Sequence, residues 1–297
     1  MNDWLILGDL VSEDMAKKIA NILDIKFQLI DVTTFNDGEI KINIQSELFQ
    51  KKCIVLQSLF PDVNKSFVQL LMILYKLKQD GALLTNLVVP YLAYARQDKM
   101  FLPGEIITIK MIAEMLDFFN PINFITVDIH NISSLSYFKC NAINISAIPY
   151  LATYFLHGHD LENFIVVSPD IGGKLRARYF AGFGNIPIYN LDKTRDRISG
   201  KVKINDHLTF EVSNKNIIIV DDMISSGSSI VEACKILKQN GANKLYVVCT
   251  HALLLDNALN KIKQSGVIEI VSTNSIPNEC SKVDLSDAIA KSIQIQI

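Results

Sequence analysis

The sequence is poor in the features that mark most specialised protein classes. It carries no excess of basic charge: 29 lysines and arginines stand against 31 aspartates and glutamates, for a net charge of −2. A chain so balanced has no broad positive face, and DNA or RNA is not an expected partner. The five cysteines, Cys53, Cys140, Cys234, Cys249 and Cys280, are odd in number, widely spaced and form no CxxC pair. They read as buried small hydrophobes in a reducing compartment. The N-terminus, Met1-Asn2-Asp3-Trp4-Leu5, lacks the basic head and long apolar run of a signal peptide, and apolar stretches elsewhere break off before bilayer-spanning length. A cytoplasmic protein without a membrane partner is expected. Charge runs and Pro/Ser-rich linkers are missing as well, so composition marks no domain boundary.

What is present is apolar and periodic. The chain has 297 residues, 49% of them hydrophobic, enough for two domains with buried cores. Short apolar runs recur: Ile54-Val55-Leu56, Leu87-Val88-Val89, Phe124-Ile125-Thr126-Val127, Ile165-Val166-Val167, Ile217-Ile218-Ile219-Val220 and Leu245-Tyr246-Val247-Val248. Such runs, separated by amphipathic stretches, predict buried parallel strands joined by crossover helices. Helices are predicted over 66–79, stopped by Gly81, and over 230–239, stopped by Gly241. The expected architecture is α/β, doubly wound, as two similar parallel-sheet domains. One element departs from the pattern. Alternating segments at 31–35 and 39–44 flank Asn36-Asp37-Gly38, which predicts a β-hairpin in the first domain. The strand–helix rhythm restarts after Ala147-Ile148-Pro149, so the domains are placed at 1–146 and 147–297, as a diverged duplication.

In doubly wound sheets ligands bind at the carboxyl ends of strands. Among the residues there, Ile217-Ile218-Ile219-Val220-Asp221-Asp222-Met223-Ile224-Ser225-Ser226-Gly227-Ser228-Ser229 gives the strongest signal: a strand, two carboxylates and a hydroxyl-rich loop entering a helix. Backbone amides at a helix N-terminus bind anions, and adjacent carboxylates can hold sugar hydroxyls, which together fit a ribose phosphate. Serines alone would read as helix caps. Two adjacent acids ending an apolar strand favour a functional site. Lys193 and Arg195, straddling Thr194, suit a polyphosphate, but with Arg197 and Lys201 following they equally fit an exposed basic turn.

The acid-and-serine segment resembles the phosphoribosyl-diphosphate binding motif of type I phosphoribosyltransferases and of ribose-phosphate diphosphokinases. Four further segments resemble diphosphokinase motifs, in that family's order: Val89-Pro90-Tyr91-Leu92-Ala93-Tyr94-Ala95-Arg96-Gln97-Asp98-Lys99, Val127-Asp128-Ile129-His130, Val167-Ser168-Pro169-Asp170-Ile171-Gly172-Gly173 and Leu191-Asp192-Lys193-Thr194-Arg195. The resemblance runs from Phe35 to Asn274-Ser275-Ile276-Pro277. It implies two domains of the type I phosphoribosyltransferase kind and transfer of the β,γ-diphosphoryl group of ATP to the 1-hydroxyl of ribose 5-phosphate. It assigns the ribose hydroxyls to Asp221 and Asp222, and the 5-phosphate to Ser225, Ser226, Gly227, Ser228 and Ser229. Catalysis falls to Lys193 and Arg195, on a mobile loop in the family. ATP goes to Arg96, Gln97 and Asp98 and to Phe35, Asp37 and Glu39 of a hairpin lent by a neighbouring subunit, and Mg²⁺ to His130 and Asp170. It therefore implies a homo-oligomer with a shared active site, at least a dimer. A phosphoribosyltransferase, or a silent regulatory paralogue, is the alternative; the second should have lost the basic pair or magnesium contacts that this chain keeps.

The chain departs from the family pattern in places. Ser225-Ser226 stands where many members have Asp-Thr, Ser228 and Ala252 replace glycines, and Pro103-Gly104-Glu105 is closer to the archaeal-type branch. His251 follows the expected strand 245–249, and His157, His159 and His207 are expected at the surface. Classical members bind allosteric phosphate through a basic residue shortly after the hairpin; here that neighbourhood is Ser46-Glu47-Leu48-Phe49. A carboxylate there repels an anion, so added phosphate should leave the rate essentially unchanged at saturating magnesium. A strong rise in a phosphate titration would refute this.

Overall fold

The computed structural model describes residues 3–169, 172–191, 193–195, 202–204 and 208–294, with the backbone alone for 193–195, 202–204 and 294. The chain divides into two compact units. One comprises Met1–Ser146, Ser275–Pro277 and Asp284–Ile297, the other Ala147–Asn274 and Asn278–Val283.

The first unit runs β1 (Trp4–Gly8), α1 (Glu13–Leu23), β2 (Lys26–Leu29), β3 (Asp31–Thr34), β4 (Ile40–Asn43), β5 (Lys52–Leu56), α2 (Val63–Gln79), β6 (Leu83–Val89), α3 (Thr108–Asp117), β7 (Asn123–Val127) and β8 (Asn141–Ile145). Its parallel sheet has the order β2-β1-β5-β6-β7-β8. The central strands are buried almost throughout, as continuous apolar runs require when both faces of a sheet are covered. β3 and β4 pair antiparallel outside this sheet, Asp31 opposite Asn43 and Thr34 opposite Ile40. Phe35 and Glu39 lie beyond the paired strands and close the tip, the Phe35 amide donating to the Glu39 carbonyl at 2.8 Å, while Gly38 turns the chain at φ +92°.

The second unit repeats the plan: α4 (Ile148–Gly158), β9 (Phe164–Ser168), α5 (Lys174–Gly184), β10 (Ile188–Asn190), β11 (Lys193–Arg195), β12 (Val202–Ile204), β13 (Asn216–Ile224), α6 (Ser228–Gln239), β14 (Leu245–Ala252), α7 (Ala258–Gln264), β15 (Val267–Thr273) and β16 (Ser281–Val283). Its sheet order is β10-β9-β13-β14-β15-β16. Leaving out the antiparallel pair that follows the second strand of each unit, both sheets read second, first, third, fourth, fifth, sixth. That identity of winding supports descent of the two halves from one duplicated unit.

The last helix, α8 (Ser286–Gln294), belongs to the first unit; the sequence reading draws the second domain as 147–297 but leaves open a return of its tail to the first. Its apolar stripe explains the return. Ala288, Ile289, Ala290 and Ile293 are buried, α8 packs on α1 and β8, and Asp284 pairs with Lys18 at 2.5 Å. His159 also departs from expectation. It stacks on Phe155 with ring centroids 4.1 Å apart, and its Nε2 lies 3.3 Å from Glu269. His157 is exposed, and His207 lies outside the described residues. All five cysteines are free; four are buried and Cys140 is half-buried.

In this winding the crevice forms where the strand order reverses, between the first and third strands of each sheet. In the first unit that point is filled by the chain's own buried polar groups. Asp9 Oδ1 accepts from the Ser12 amide at 2.9 Å, Gln69 Nε2 donates to Asp9 Oδ2 at 3.4 Å, and the Ser58 amide donates to Ser12 Oγ at 3.1 Å. Burial pushes the Asp9 carboxyl above its usual range, and the hydrogen bonds from Ser12 and Gln69 offset only part of the shift. The folded state thus binds that proton more tightly than the unfolded one, so stability falls as pH rises from 3.8 through the raised folded value. Asp9→Asn should raise Tm at pH 7, the gain shrinking as pH falls toward 3.8; a Tm difference independent of pH would contradict the assignment.

Candidate functional site

In the second unit the reversal lies between β9 and β13, and there the expected acids are found. The sequence reading ends the apolar strand at Val220, with the acids after it; in the structure β13 continues to Ile224, because pairing with β14 persists through Ile224 opposite Ala252. Asp221 and Asp222 are therefore successive strand residues, directed to opposite faces. Asp221 is half-buried. Asp222 is buried, its Oδ1 accepting from the Met223 amide at 2.9 Å and its Oδ2 lying 3.7 Å from Arg176 Nη2 on α5. Arg176 is a site residue the sequence reading missed. In a helix that also carries Lys174 and Arg178, nothing in the charge pattern separates it from a solvated cation.

The loop after β13 is shorter than the 225–229 segment implies. Gly227 is the N-cap of α6, and Ser228 and Ser229 already belong to the helix. Gly227 adopts φ +74°, and a Cβ there would stand 3.0 Å from Ile262 Cδ1 and 3.2 Å from Ala258 Cβ. Ser228 is not among the residues with positive φ, so the serine in place of the family's glycine carries no left-handed backbone. No side chain caps α6. Ser226 Oγ and Ser228 Oγ stand 3.1 Å apart beside its first turn, where a helix N-terminus favours an anion. The equivalent helix of the first unit, α2, is closed: the Asp62 carboxylate accepts from the Lys65 amide at 3.1 Å.

Lys193 and Arg195 occupy alternate positions of β11, opposite Ile204 and Val202 of β12. Their side chains lie outside the described residues, as does Asp170. His251 lies inside β14, buried, rather than after it.

In the first unit the structure brings two expected segments together. Tyr94, in the left-handed region at φ 64°, starts a turn closed by the Gln97 amide on the Tyr94 carbonyl at 3.0 Å, and Arg96 is exposed on it. A bulky residue holds that conformation only where its surroundings impose it. The Tyr94 hydroxyl bonds Asn64, and Gln97 Oε1 accepts from Thr108 Oγ1. Asp98 Oδ2 accepts from Asn131 Nδ2 at 2.5 Å, which joins this run to the carboxyl end of β7. There Asp128, at φ 35°, turns the chain, the Ile129 amide donates to Asn144 Oδ1 at 2.8 Å, and His130 is exposed. The hairpin tip makes its own bonds, the Glu39 amide donating to Asp37 Oδ1 at 3.1 Å, and leaves Phe35 48% exposed.

Comparison with known proteins agrees with this layout. Residues 5–119 match the family model described as the N-terminal domain of ribose phosphate pyrophosphokinase, and 191–297 match the phosphoribosyl synthetase-associated domain. The chain is 35% identical to the ribose-phosphate pyrophosphokinase of Sulfurisphaera tokodaii, over 97% of this chain and 100% of that one. It is 32% identical to that of Methanopyrus kandleri, over 98% of each. The crystal structure of phosphoribosylpyrophosphate synthetase from Mycobacterium smegmatis superposes with a TM-score of 0.88 at 25% identity, over 99% of this chain and 98% of that one. The chain is thus a two-domain, parallel-sheet α/β transferase. It belongs to the ribose-phosphate pyrophosphokinase family.

Gly227→Ala should cost about 1–2 kcal/mol for the left-handed conformation alone, with the contact to Ile262 adding to it. Ser228→Gly, which restores the family's glycine, should lose about 0.5–1 kcal/mol by weakening α6. Urea unfolding of both variants measures this; a stabilised Ser228→Gly would place the backbone demand at the wrong residue.

Proposed function

We propose that the chain transfers the β,γ-diphosphoryl group of ATP to the 1-hydroxyl of ribose 5-phosphate, giving 5-phosphoribosyl 1-diphosphate and AMP. The observation that carries the site is the uncapped N-terminus of α6 beside Asp221 and Asp222, in a chain that matches pyrophosphokinases over nearly its whole length. Asp221 and Asp222 hold the ribose hydroxyls, Asp221 from the more exposed position, while the 225–229 segment and the α6 amides take the 5-phosphate. The 1-hydroxyl oxygen then attacks the β-phosphorus, the bond from that phosphorus to the bridging oxygen breaks, AMP leaves, and the hydroxyl proton passes to solvent. Lys193 and Arg195 neutralise the charge that develops on the transferring group. Arg96, Gln97 and Asp98 position ATP, and Phe35, Asp37 and Glu39 of a neighbouring copy hold its adenine, so the active enzyme is a homo-oligomer with a shared site.

Among the described residues no group of three His, Cys, Asp or Glu could hold a metal ion. That fits Mg²⁺ carried by the ATP phosphates, since this ion keeps several waters and needs one or two protein contacts. His130, exposed at the end of β7, and Asp170 are the residues read as holding it. When bound, the ion neutralises phosphate charge. Among the described residues no helix is long and apolar enough to cross a membrane. We place the enzyme in the cytoplasm, where five free cysteines are at home.

The test is AMP formation from ATP and magnesium with and without ribose 5-phosphate. The wild type should release AMP only with the sugar, and Lys193→Ala should lose about 10²–10³-fold in kcat, as removal of one charge-stabilising group commonly does. Absence of AMP from the wild type would overturn the activity. Full activity in the variant would remove Lys193 from the chemistry.

A further inference from the structure

Asn131 stands between the two loops of the first unit that the proposed reaction gives to ATP. It follows His130 in the loop after β7, and it is half-buried. Both ends of its amide are engaged. Oδ1 accepts from the Ser133 amide at 3.1 Å and from Ser133 Oγ at 2.9 Å, so that Asn131 caps a short 3₁₀ helix, Ile132–Tyr137. Nδ2 donates to Asp98 Oδ2 at 2.5 Å. The same short helix returns to Asp98 at its other end, where the Tyr137 hydroxyl donates to the Asp98 carbonyl at 3.3 Å. Asp98 is thus held through side chain and backbone by one segment, while Gln97 beside it is held by Thr108.

We propose that Asn131 is a positioning residue for the nucleotide, with Tyr137 as its second tie: together they fix the Asp98 carboxylate and set the spacing between the 96–98 run and His130. This rests on the reading in which those residues hold ATP with its magnesium. The hydrogen-bonding capacity of Asp98 is the first argument. An ionised carboxylate has only acceptors to offer. Asn131 takes one oxygen, and among the described residues the other has no partner, which leaves it aimed for a hydroxyl or amino group of the nucleotide. The course of the chain is the second. β6 and β7 are neighbours, Val89 opposite Thr126, so their loops leave the sheet side by side, but beyond the strand ends no ladder fixes one against the other. A hydrogen bond to a carboxylate is of the stronger kind, and misplacement of a binding group by an ångström is costly. The chemistry of the side chain is the third. Capping Ser133 takes an acceptor and holding Asp98 takes a donor, and the amide supplies both. A carboxylate at 131 would keep the acceptors, lose the donor and set a second negative charge against Asp98.

Calorimetric titration with magnesium and α,β-methylene ATP, which lacks the bridging oxygen that the reaction releases, tests this apart from turnover. Asn131→Asp should weaken binding of the analogue by about tenfold or more, the scale of one hydrogen bond to a charged group. It should keep the wild-type thermal transition, because Asp caps a helix as well as Asn does. Asn131→Ala, which loses the cap too but adds no charge, should weaken binding less than Asn131→Asp. A role confined to the cap gives the reverse order, with the Asp variant binding like wild type, and that result overturns the proposal. Affinity for ribose 5-phosphate should be unchanged in both variants; an equal loss there would mean general loosening and overturns it as well. Should both variants fail to fold, Tyr137→Phe decides. It removes a single hydroxyl and should weaken the analogue measurably, while unchanged affinity overturns the brace. A wild type that does not bind the analogue overturns the proposal, whereas one that binds it with the expected order of variants yet makes no AMP retains the positioning role and removes only the transfer reaction.

Discussion

The site depends on a helix end that no side chain caps. The N-cap of α6 is Gly227, which has no side chain to cap the helix. Such a terminus is costly to bury and useful to expose: its dipole and N–H groups favour an anion. Much of the second unit serves to keep it open and in place. Extension of β13 to Ile224 brings the chain to the loop already ordered, Gly227 makes the left-handed turn with Ile262 and Ala258 packed against it, and Asp222 is anchored toward Arg176. The acids and the amides then stand on successive segments of one rigid connection, as a ligand carrying both hydroxyls and a phosphate requires.

Comparison of the halves shows how two units of the same winding divide the work. In the first unit Asp62 supplies a carboxylate to the N-terminus of α2, and Asp9, Ser12, Ser58 and Gln69 fill the reversal point of the sheet. The position that the second unit offers to an anion is thus held here by the chain's own side chains. The conserved winding leaves the outer connections free for another task. After β6 and β7 the turn at Tyr94 and the bend at Asp128 present Arg96 and His130, and the Asp98–Asn131 bond ties the two loops.

Legibility followed the range of the interactions. Strands buried on both faces announce themselves as apolar runs, and Asn36-Asp37-Gly38 announces a turn, since both are local matters. Helix starts were less exact: α2 begins at Val63 rather than 66 because Asp62 caps it, and α6 at Ser228 rather than 230 because Gly227 supplies the turn. The acid pair was found from sequence, but its depth was not, since the ladder with β14 that carries β13 past the acids is a long-range pairing. Arg176, Asn131 and His159 were invisible for the same reason, each taking a partner far along the chain, Asp222, Asp98 and Glu269 in turn.

The return of α8 to the first unit bears on the order of assembly during synthesis. The first unit is begun first, yet it needs residues 275–277 and 284–297, which leave the ribosome only after nearly all of the second unit has been made. Domains generally close as units and in order of emergence. Here that order is inverted: the second unit, almost contiguous in sequence, can close before the first receives its last helix. Until then the α1 surface on which α8 packs stays open to water. The half that is started first is the last to be completed.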